Sequence, residues 1–304
     1  MHNFKLTILG CSSATPTSKR NPTAQLLNIA ERNILIDCGE ATQIQLRKFK
    51  QKFQRINHIF ISHLHGDHYL GLVGLLSSMH LLGRTKELQL FCPKELKEII
   101  DIQLTASHTR LNFNIIYHFH SYIDDEVLFE DEKFEVRAIK LNHRIPCCGF
   151  KFIEKPIPAN INKEAIDKYK VATEKIIEIK AGADYVCDDG RIIANSKLIS
   201  NKRNPRSYAY CSDTIYDERL VPLISEVDLL YHEATFMDNM STRAAETFHS
   251  TTVQAATIAS KAKVKNLMIG HYSARYKDLE PLLLEAQSVF KNTQLAVEGE
   301  TTSL

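Results

Sequence analysis

The sequence predicts an α/β fold for this chain of 304 residues. Short apolar or alternating runs of strand length outnumber the helical patterns, and helical patterns bracket the strand runs in both halves of the chain. Apolar residues make up 44% of the sequence, which is enough to bury a large core. There is no internal repeat and no low-complexity linker, so we expect a single domain over residues 1–304.

The predicted elements follow the apolar pattern along the chain. The first strand begins directly after residues 1–3, so no signal peptide is expected. The run at 58–61 is β-branched and apolar like a buried strand, whereas 134–141 alternates like a half-buried one. Strands are predicted near residues 4–9, 24–30, 33–37, 58–62, 87–92, 114–119, 134–141, 149–154, 207–211, 228–231 and 266–270. Helices are predicted near residues 40–50, 69–82, 94–106, 251–262 and 278–289.

The segment Ser62-His63-Leu64-His65-Gly66-Asp67-His68 carries the strongest functional signal. Its spacing is H-x-H-x-D-H, and it follows the strand predicted at 58–62. Alternate residues of an extended segment share a face, and a turn at Gly66 lets the following carboxylate and imidazole swing back. Imidazole and carboxylate ligands without thiolates suit a catalytic Zn²⁺ with an open coordination position. The segment therefore predicts the start of a metal site, with Asp67 and His68 beginning a second one.

Three further candidate ligands stand just after other predicted strands. His143 follows the strand at 134–141, Asp213 follows 207–211, and His271 follows 266–270. Each is weak by itself, because a single histidine at a strand end is more often structural and an Asp before Thr often caps a turn or helix. Their order and their positions after strands make them stronger as a set.

Several blocks of the sequence together resemble the metallo-β-lactamase superfamily and, within it, the ribonuclease Z family. H-x-H-x-D-H and the later His, Asp and His carry the superfamily resemblance. The narrower resemblance rests on blocks that run from about residue 5 to residue 276, over nearly the whole chain. They are Leu9-Gly10-Cys11-Ser12-Ser13-Ala14-Thr15-Pro16-Thr17, Arg20-Asn21, Leu35-Ile36-Asp37-Cys38-Gly39-Glu40, Thr42-Gln43, Leu141-Asn142-His143-Arg144-Ile145-Pro146, His232-Glu233-Ala234-Thr235-Phe236, His249-Ser250-Thr251-Thr252 and Gly270-His271-Tyr272-Ser273-Ala274-Arg275-Tyr276.

The resemblance implies a four-layer αββα sandwich and an endoribonuclease that acts on precursor tRNA. Such an enzyme cuts after the discriminator base and leaves a 3′-hydroxyl on the tRNA and a 5′-phosphate on the trailer. The cofactors implied are two Zn²⁺ ions per subunit, other divalent ions being possible. Carried over residue by residue, the metal ligands are His63, His65 and His143 for the first ion, Asp67, His68 and His271 for the second, and Asp213 as a bridge.

Three catalytic roles are also implied by the resemblance. Asp67 would orient or deprotonate the nucleophile, and His249 would protonate the leaving 3′-oxygen or bind the scissile phosphate. Glu233 would orient the His249 ring, as carboxylates behind an imidazole do. From the sequence alone, Glu233 and His249 also suit plain capping or hydrogen-bonding roles beside apolar runs.

Binding of the tRNA must depend on local patches, because a net charge of +2 does not identify a polyanion ligand. Residues 47–55 carry five cations, no acid and two phenylalanines, and predict either a solvated helix end or a phosphate-binding surface. The segment at about 155–188 stands where the family has a protruding arm that grips the tRNA body. It lacks the family's Gly/Pro-rich motif, and acids nearly cancel its lysines, so an ordinary surface excursion is the alternative.

The sequence also bears on assembly and location. The resemblance implies a homodimer in which one subunit's arm serves its partner's active site. Seven cysteines, an odd number without metal-type C-x-x-C spacing, predict reduced thiols and a cytoplasmic protein. No apolar run approaches the ~20 residues that span a bilayer, so no membrane partner is expected.

Two other functions stay open at this level. One is a small-molecule phosphodiesterase or another metallo-hydrolase on the same fold. The other is a catalytically silent RNA- or metal-binding protein, which is disfavoured because all seven ligand positions are filled.

Overall fold

Two seven-stranded sheets dominate the computed structural model, which describes residues 3–156, 159–200 and 204–304. The strands in chain order are β1 (Phe4–Gly10), β2 (Ser12–Ser13), β3 (Ala24–Ile29), β4 (Arg32–Ile36), β5 (Ile56–Phe60), β6 (Leu88–Cys92), β7 (Ile115–Phe119), β8 (Val127–Glu130), β9 (Phe134–Leu141), β10 (Cys147–Glu154), β11 (Asn160–Ile161), β12 (Tyr185–Val186), β13 (Ile192–Ile193), β14 (Ile199–Ser200), β15 (Ser207–Cys211), β16 (Leu229–Glu233), β17 (Asn266–Gly270), β18 (Tyr272–Ser273), β19 (Thr293–Leu295) and β20 (Thr301–Ser303). The helices are α1 (Thr42–Lys48), α2 (Gly66–Tyr69), α3 (Leu72–Leu81), α4 (Glu95–Ala106), α5 (Lys163–Tyr169), α6 (Ile176–Ala181), α7 (Asn195–Leu198), α8 (Leu220–Leu223), α9 (Ser241–Thr247), α10 (Thr252–Lys261) and α11 (Glu280–Val289).

Parallel strands make up one half of each sheet, from the middle strand to one edge. The first sheet runs β20-β1-β3-β4-β5-β6-β7, and the second runs β19-β17-β16-β15-β10-β9-β8. β4 to β7 are parallel in the first sheet, and β15, β16, β17 and β19 are parallel in the second. Side chains that follow parallel strands therefore collect at one edge of each sheet.

The inner faces of the two sheets form one core, and helices cover the outer faces. Phe60 of the first sheet stacks on Phe91 at 4.3 Å and meets Phe150 of the second sheet at 5.2 Å between ring centroids. Its neighbour Ile59 points the other way, into a separate core with Leu75 of α3 and residues of α1 and α4. Helices α10 and α11 pack on the second sheet. This is a four-layer αββα sandwich, and the predicted fold class is confirmed.

The apolar run around Phe60 is continuous because successive residues of β5 enter different cores. The helix predicted at 69–82 is present as α3 and begins at Leu72, after a break at Gly71 that separates it from the short helix α2. The Gly71 N–H donates to the carbonyl of Cys38 at 2.9 Å, and a Cβ there would lie 2.0 Å from the Gly39 oxygen. The break brings the H-x-H-x-D-H segment against the end of β4.

Residues 154–205 form a second compact unit, separate from the unit of residues 1–153 and 206–304. Within it, β11 pairs with β14 and β12 pairs with β13, both antiparallel. Its small apolar core consists of Ala165, Val171, Ile179, Tyr185, Ile193 and Leu198. The prediction of one domain with an arm at about 155–188 stays a prediction, and residues 157 and 158 of that segment lie outside the described residues. Over the described ranges, none of the helices combines the length and apolar character that crossing a membrane requires.

Candidate metal centre

The strand ends of both sheets bring seven predicted ligands into two adjoining groups. The side chains of the first group are His63, His65, His143 and Asp213, and those of the second are Asp67, His68 and His271. Within each group, one ligand atom per residue lies within 4.8 Å of all the others.

The first group gathers imidazole nitrogens around a narrow space. His65 Nδ1 lies 3.0 Å from His63 Nε2 and 3.1 Å from His143 Nε2. Asp213 Oδ2 completes the group at 3.7 Å from the Nε2 atoms of His63 and His143. Burial, and the neighbouring His68, hold the pKa of His63 well below its usual range, so its nitrogen keeps a lone pair.

The second group lies on the other side of Asp213. His68 Nε2 and His271 Nε2 are 3.3 Å apart, and Asp67 Oδ2 is 3.5 and 3.4 Å from them. Asp213 Oδ1 lies 3.4 Å from His68 Nε2 and 3.2 Å from His271 Nε2. Each carboxylate oxygen of Asp213 thus faces a different group. Burial opposes ionisation of Asp213, but the imidazoles of His271 and His68 hold its pKa well below the usual range.

The donor set fits divalent cations. Buried imidazole nitrogens and carboxylate oxygens converge here, and no ammonium or guanidinium group of the described residues pairs with them, so a bound cation would stabilise the arrangement. Neutral imidazole with carboxylate is a ligand set that Zn²⁺ takes, and the two groups joined by one carboxylate are typical of a two-metal site. The structure supports metal binding here.

Hydrogen bonds behind the imidazoles of His68 and His143 fix which nitrogen of these two rings faces inward. His68 Nδ1 lies 2.7 Å from Asp37 Oδ2, and His143 Nδ1 lies 2.9 Å from the Phe248 carbonyl. Asp37 also accepts from the Tyr210 hydroxyl at 2.6 Å and from the backbone N–H of Ser62 at 2.7 Å. Such partners orient metal-ligating histidines and set their tautomers. The sequence predicted no role for Asp37, although this residue stands in one of the family-like blocks.

Glu233 and His249 form a buried pair beside Asp213. The Glu233 carboxylate is fully buried, and its Oε1 lies 2.8 Å from His249 Nδ1. The same oxygen accepts from the N–H groups of Ser250 at 3.0 Å and Thr214 at 3.2 Å. Burial works against a charged imidazole, but the Glu233 carboxylate outweighs it and raises the pKa of His249 to about 9. His249 also lies near the metal groups, with Nδ1 4.0 Å from Asp213 Oδ2.

Three parallel strands explain why these residues meet. β15 precedes Asp213, β16 carries Glu233, and β17 precedes His271, and the three strands are adjacent in the second sheet. Among the residues that the structure describes, all nine predicted site residues lie at this one location.

An αββα sandwich with His/Asp groups at its strand ends defines a metal-binding protein of the metallo-β-lactamase fold. The metallo-β-lactamase fold protein YhfI from Bacillus subtilis has a TM-score of 0.70 to this chain at 18% identity, covering 99% of this chain and 100% of its own. Human tRNase Z, short form, has a TM-score of 0.72 at 30% identity and covers 98% of both chains.

Ribonuclease Z of Bacteroides fragilis is 49% identical over 304 residues, which is 100% of both sequences. The chain belongs to the ribonuclease Z family, and the resemblance seen in its motifs is confirmed. A family model described as Anti-Pycsar protein Apyc1 matches residues 4–154.

Proposed function

We propose that this chain is a metal-dependent endoribonuclease that removes the 3′ trailer from precursor tRNA. The observation that supports it is the joined pair of His/Asp groups with the Glu233–His249 pair beside them, in a chain 49% identical to a ribonuclease Z over its whole length. Hydrolysis of a phosphodiester requires charge stabilisation, an activated water and a proton for the leaving oxygen. The site has residues suited to each of these tasks.

The proposed cofactors are two Zn²⁺ ions, with other divalent ions as substitutes. His63, His65 and His143 would hold one ion, Asp67, His68 and His271 would hold the other, and Asp213 would be shared. When bound, such ions stabilise the negative charge on the phosphoryl oxygens and acidify a water.

The protein's own side chains then move the protons. Asp67 accepts a proton from the attacking water while the water oxygen forms its bond to phosphorus. The bond from phosphorus to the 3′-oxygen breaks, and His249 Nε2 donates a proton to that oxygen. Glu233 holds the ring for this step by accepting from His249 Nδ1. The products are a tRNA with a 3′-hydroxyl and a trailer with a 5′-phosphate, and the proposed cut follows the discriminator base.

Exposed cations at 47–55 suit contact with the tRNA backbone. Arg47, Lys48, Lys50, Lys52 and Arg55 are all exposed, and none of them forms an ion pair within the described part of the chain. Phe53 is buried in the core, so it cannot stack on a base. The segment therefore supports phosphate contacts through charge.

The unit at 154–205 is the proposed tRNA-gripping arm. Lys175 pairs with Glu178 at 3.0 Å. Four other lysines of the unit form no ion pair with any described residue and are available to phosphates; they are Lys163, Lys168, Lys170 and Lys180. We further propose a homodimer in which this arm serves the partner's active site, to be tested by sedimentation equilibrium. The proposed location is the cytoplasm, since the seven free thiols suit a reducing compartment.

The decisive experiment uses an end-labelled, 3′-extended tRNA precursor with the Zn²⁺-reconstituted protein, and maps the cut to the nucleotide. We expect one cut after the discriminator base, abolished by a chelator. Absence of any cut in this RNA would refute the proposal.

A second candidate is a small-molecule phosphodiesterase or other metallo-hydrolase on the same fold. The family model described as Anti-Pycsar protein Apyc1 matches residues 4–154, so part of the chain also resembles a second family. That match includes the H-x-H-x-D-H segment and His143 but ends before Asp213, Glu233 and His249. Turnover of bis-p-nitrophenyl phosphate without cleavage of precursor tRNA would support this alternative.

A further inference from the structure

The hydroxyl of Thr235 lies between the second metal group and the Glu233–His249 pair. Thr235 follows β16 by two residues and is only 3% exposed. Its Oγ1 lies 2.8 Å from Glu233 Oε2, 3.0 Å from His271 Nδ1 and 3.4 Å from His249 Nδ1. The carbonyl of His271 is also within 3.0 Å of this oxygen.

Counting protons fixes the direction of these hydrogen bonds. A hydroxyl has one proton to donate and two lone pairs to accept with, whereas a carboxylate can only accept. The Thr235 proton therefore goes to Glu233 Oε2, a charged acceptor that outcompetes the neutral His271 carbonyl. His271 Nδ1 must then be the donor to Thr235, and the ring is held as the Nδ1–H tautomer.

We propose that Thr235 is a positioning residue that sets the tautomer of His271 and so prepares its Nε2 to bind a metal ion. The inference rests on the proposed function, which assigns His271 as a ligand of the second ion. With Nδ1 protonated, His271 Nε2 keeps its lone pair, and it lies 3.4 Å from Asp67 Oδ2 and 3.2 Å from Asp213 Oδ1.

Glu233 thereby controls two imidazoles with one carboxylate. Its Oε1 accepts from His249 directly, and its Oε2 reaches His271 through the Thr235 hydroxyl. Both rings are held at Nδ1, and the Nε2 of His271 faces Asp67 and Asp213. The proton-donating side chain and the second metal group share one buried charge.

No other described residue can replace Thr235 in this role. His68 Nδ1 has the Asp37 carboxylate and His143 Nδ1 has the Phe248 carbonyl, but Thr235 is the one described partner of His271 Nδ1. The Thr235 N–H also donates to Glu233 Oε2 at 3.0 Å, and a valine would keep that bond. The substitution Thr235→Val therefore removes the link to His271 while Glu233 stays held by four backbone and side-chain donors.

The test is a Zn²⁺ titration of the metal-free full-length protein against a chromophoric chelator. For Thr235→Val we expect the second ion to bind about 10–100-fold more weakly, with the first unchanged, because that is the usual effect of losing a hydrogen-bond partner behind a metal ligand. Thr235→Ser should bind both ions like the wild type. A matched control is Thr257→Val, since the Thr257 hydroxyl has one hydrogen-bond partner among the described residues, the Val253 carbonyl within α10.

Unchanged binding of the second ion to Thr235→Val would overturn the proposal. So would equal weakening of both ions together with a lower Tm of the metal-free protein, which is what a purely structural role predicts. Binding of one ion only by the wild type would overturn both this proposal and the ligand set.

A second measurement uses only the wild-type protein and so tests the proposal even if Thr235→Val does not fold. Long-range ¹H–¹⁵N spectra of metal-loaded wild-type protein with ¹⁵N-labelled histidine report the tautomer of each ring. We expect Nδ1–H for His271, and Nε2–H would refute the proposal. Failure of the proposed function is seen separately, as a wild type that binds both ions but leaves precursor tRNA uncut.

Discussion

Replacing Asp37 by asparagine tests the idea that one buried carboxylate holds the metal-binding segment in place. Asp37 is fully buried and has φ of 54°, in the left-handed region that asparagine also tolerates. The substitution thus keeps the size of the side chain and the backbone conformation, and it removes the negative charge and one hydrogen-bond acceptor.

The cost follows from the four donors that surround the carboxylate. Oδ2 faces His68 Nδ1 at 2.7 Å, the Tyr210 hydroxyl at 2.6 Å and the Ser62 hydroxyl at 2.9 Å, and Oδ1 accepts from the Ser62 N–H at 2.7 Å. An asparagine loses least by turning its NH₂ toward the Ser62 N–H, which leaves that donor unpaired. The other three hydrogen bonds lose their charged acceptor. A hydrogen bond to a charged group contributes roughly 1 kcal/mol more to stability than a hydrogen bond to a neutral group.

Together these losses lower the free energy of unfolding by about 3–5 kcal/mol, part of the cost being offset because no buried charge remains to be desolvated. At roughly 2–4 °C per kcal/mol, the Tm of the metal-free protein should fall by about 6–20 °C. The assay is a thermal melt in chelator, followed by Zn²⁺ titration, where affinity at the second group should fall about 10–100-fold.

The matched control for Asp37→Asn is Asp278→Asn. Asp278 is exposed, and its one hydrogen-bond donor among the described residues is the Glu280 N–H, which an asparagine oxygen can also accept from. The free energy of unfolding of this variant should therefore differ from that of the wild type by less than ~0.5 kcal/mol. Equal melting of Asp37→Asn and wild type would refute the reasoning, since it would mean that the four hydrogen bonds contribute nothing to folding.

Three further predictions concern catalysis and tRNA binding. Asp67→Ala should abolish cleavage of precursor tRNA with the fold retained, because it removes the proposed base. A gel-based cleavage assay measures the activity, and circular dichroism checks the fold. Glu233→Gln should lower kcat about 10²–10⁴-fold with KM little changed, since an amide cannot accept on both sides and His249 loses its orientation; single-turnover kinetics measure it. Replacing residues 159–200 by a short Gly/Ser linker should raise KM for precursor tRNA about tenfold or more through lost phosphate contacts, with bis-p-nitrophenyl phosphate turnover unaffected.

Each of these has an outcome that contradicts it. A metal-loaded Asp67→Ala protein of full activity would exclude Asp67 as the base. Equal kcat for Glu233→Gln and wild type would show that His249 does not require the Glu233 carboxylate for catalysis. Equal losses on tRNA and on the small phosphodiester would make the unit at 154–205 structural. Removing the whole unit is preferable to a deletion inside it, because β11 pairs with β14 and a partial cut would leave unpaired strands.

The main strands and helices were predictable because the burial of their residues produces a local pattern of apolar and polar residues in the sequence. Every predicted strand is present within a few residues, since an apolar run in β5 or an alternating one in β9 reflects which faces are covered. The break at Gly71 was not predictable, because it results from contact with Cys38 and Gly39, more than 30 residues away in sequence. The short strands β11 to β14 were missed because two-residue strands carry no periodic signal.

For the site, spacing alone singled out His63, His65, Asp67 and His68, because so many metal-type side chains directly after a strand seldom occur together unless they bind a metal. His143, Asp213 and His271 were candidates only as a set that follows predicted strands, since a single polar residue at a strand end is common, and the family resemblance then assigned them as ligands. The roles of Asp37 and Thr235 were not predicted, because in the sequence alone an Asp or Thr after a strand is typical of a turn or a helix cap.

The sequence by itself therefore determined the α/β class, the core strands, the family and the ligand types, all of which depend on local composition and spacing. Only the tertiary structure decided that each oxygen of Asp213 faces a different group and that Glu233 serves two imidazoles. Those relations depend on distances of 2.8 to 3.7 Å between residues that are far apart in sequence, and chain order does not fix such distances until the strands pair.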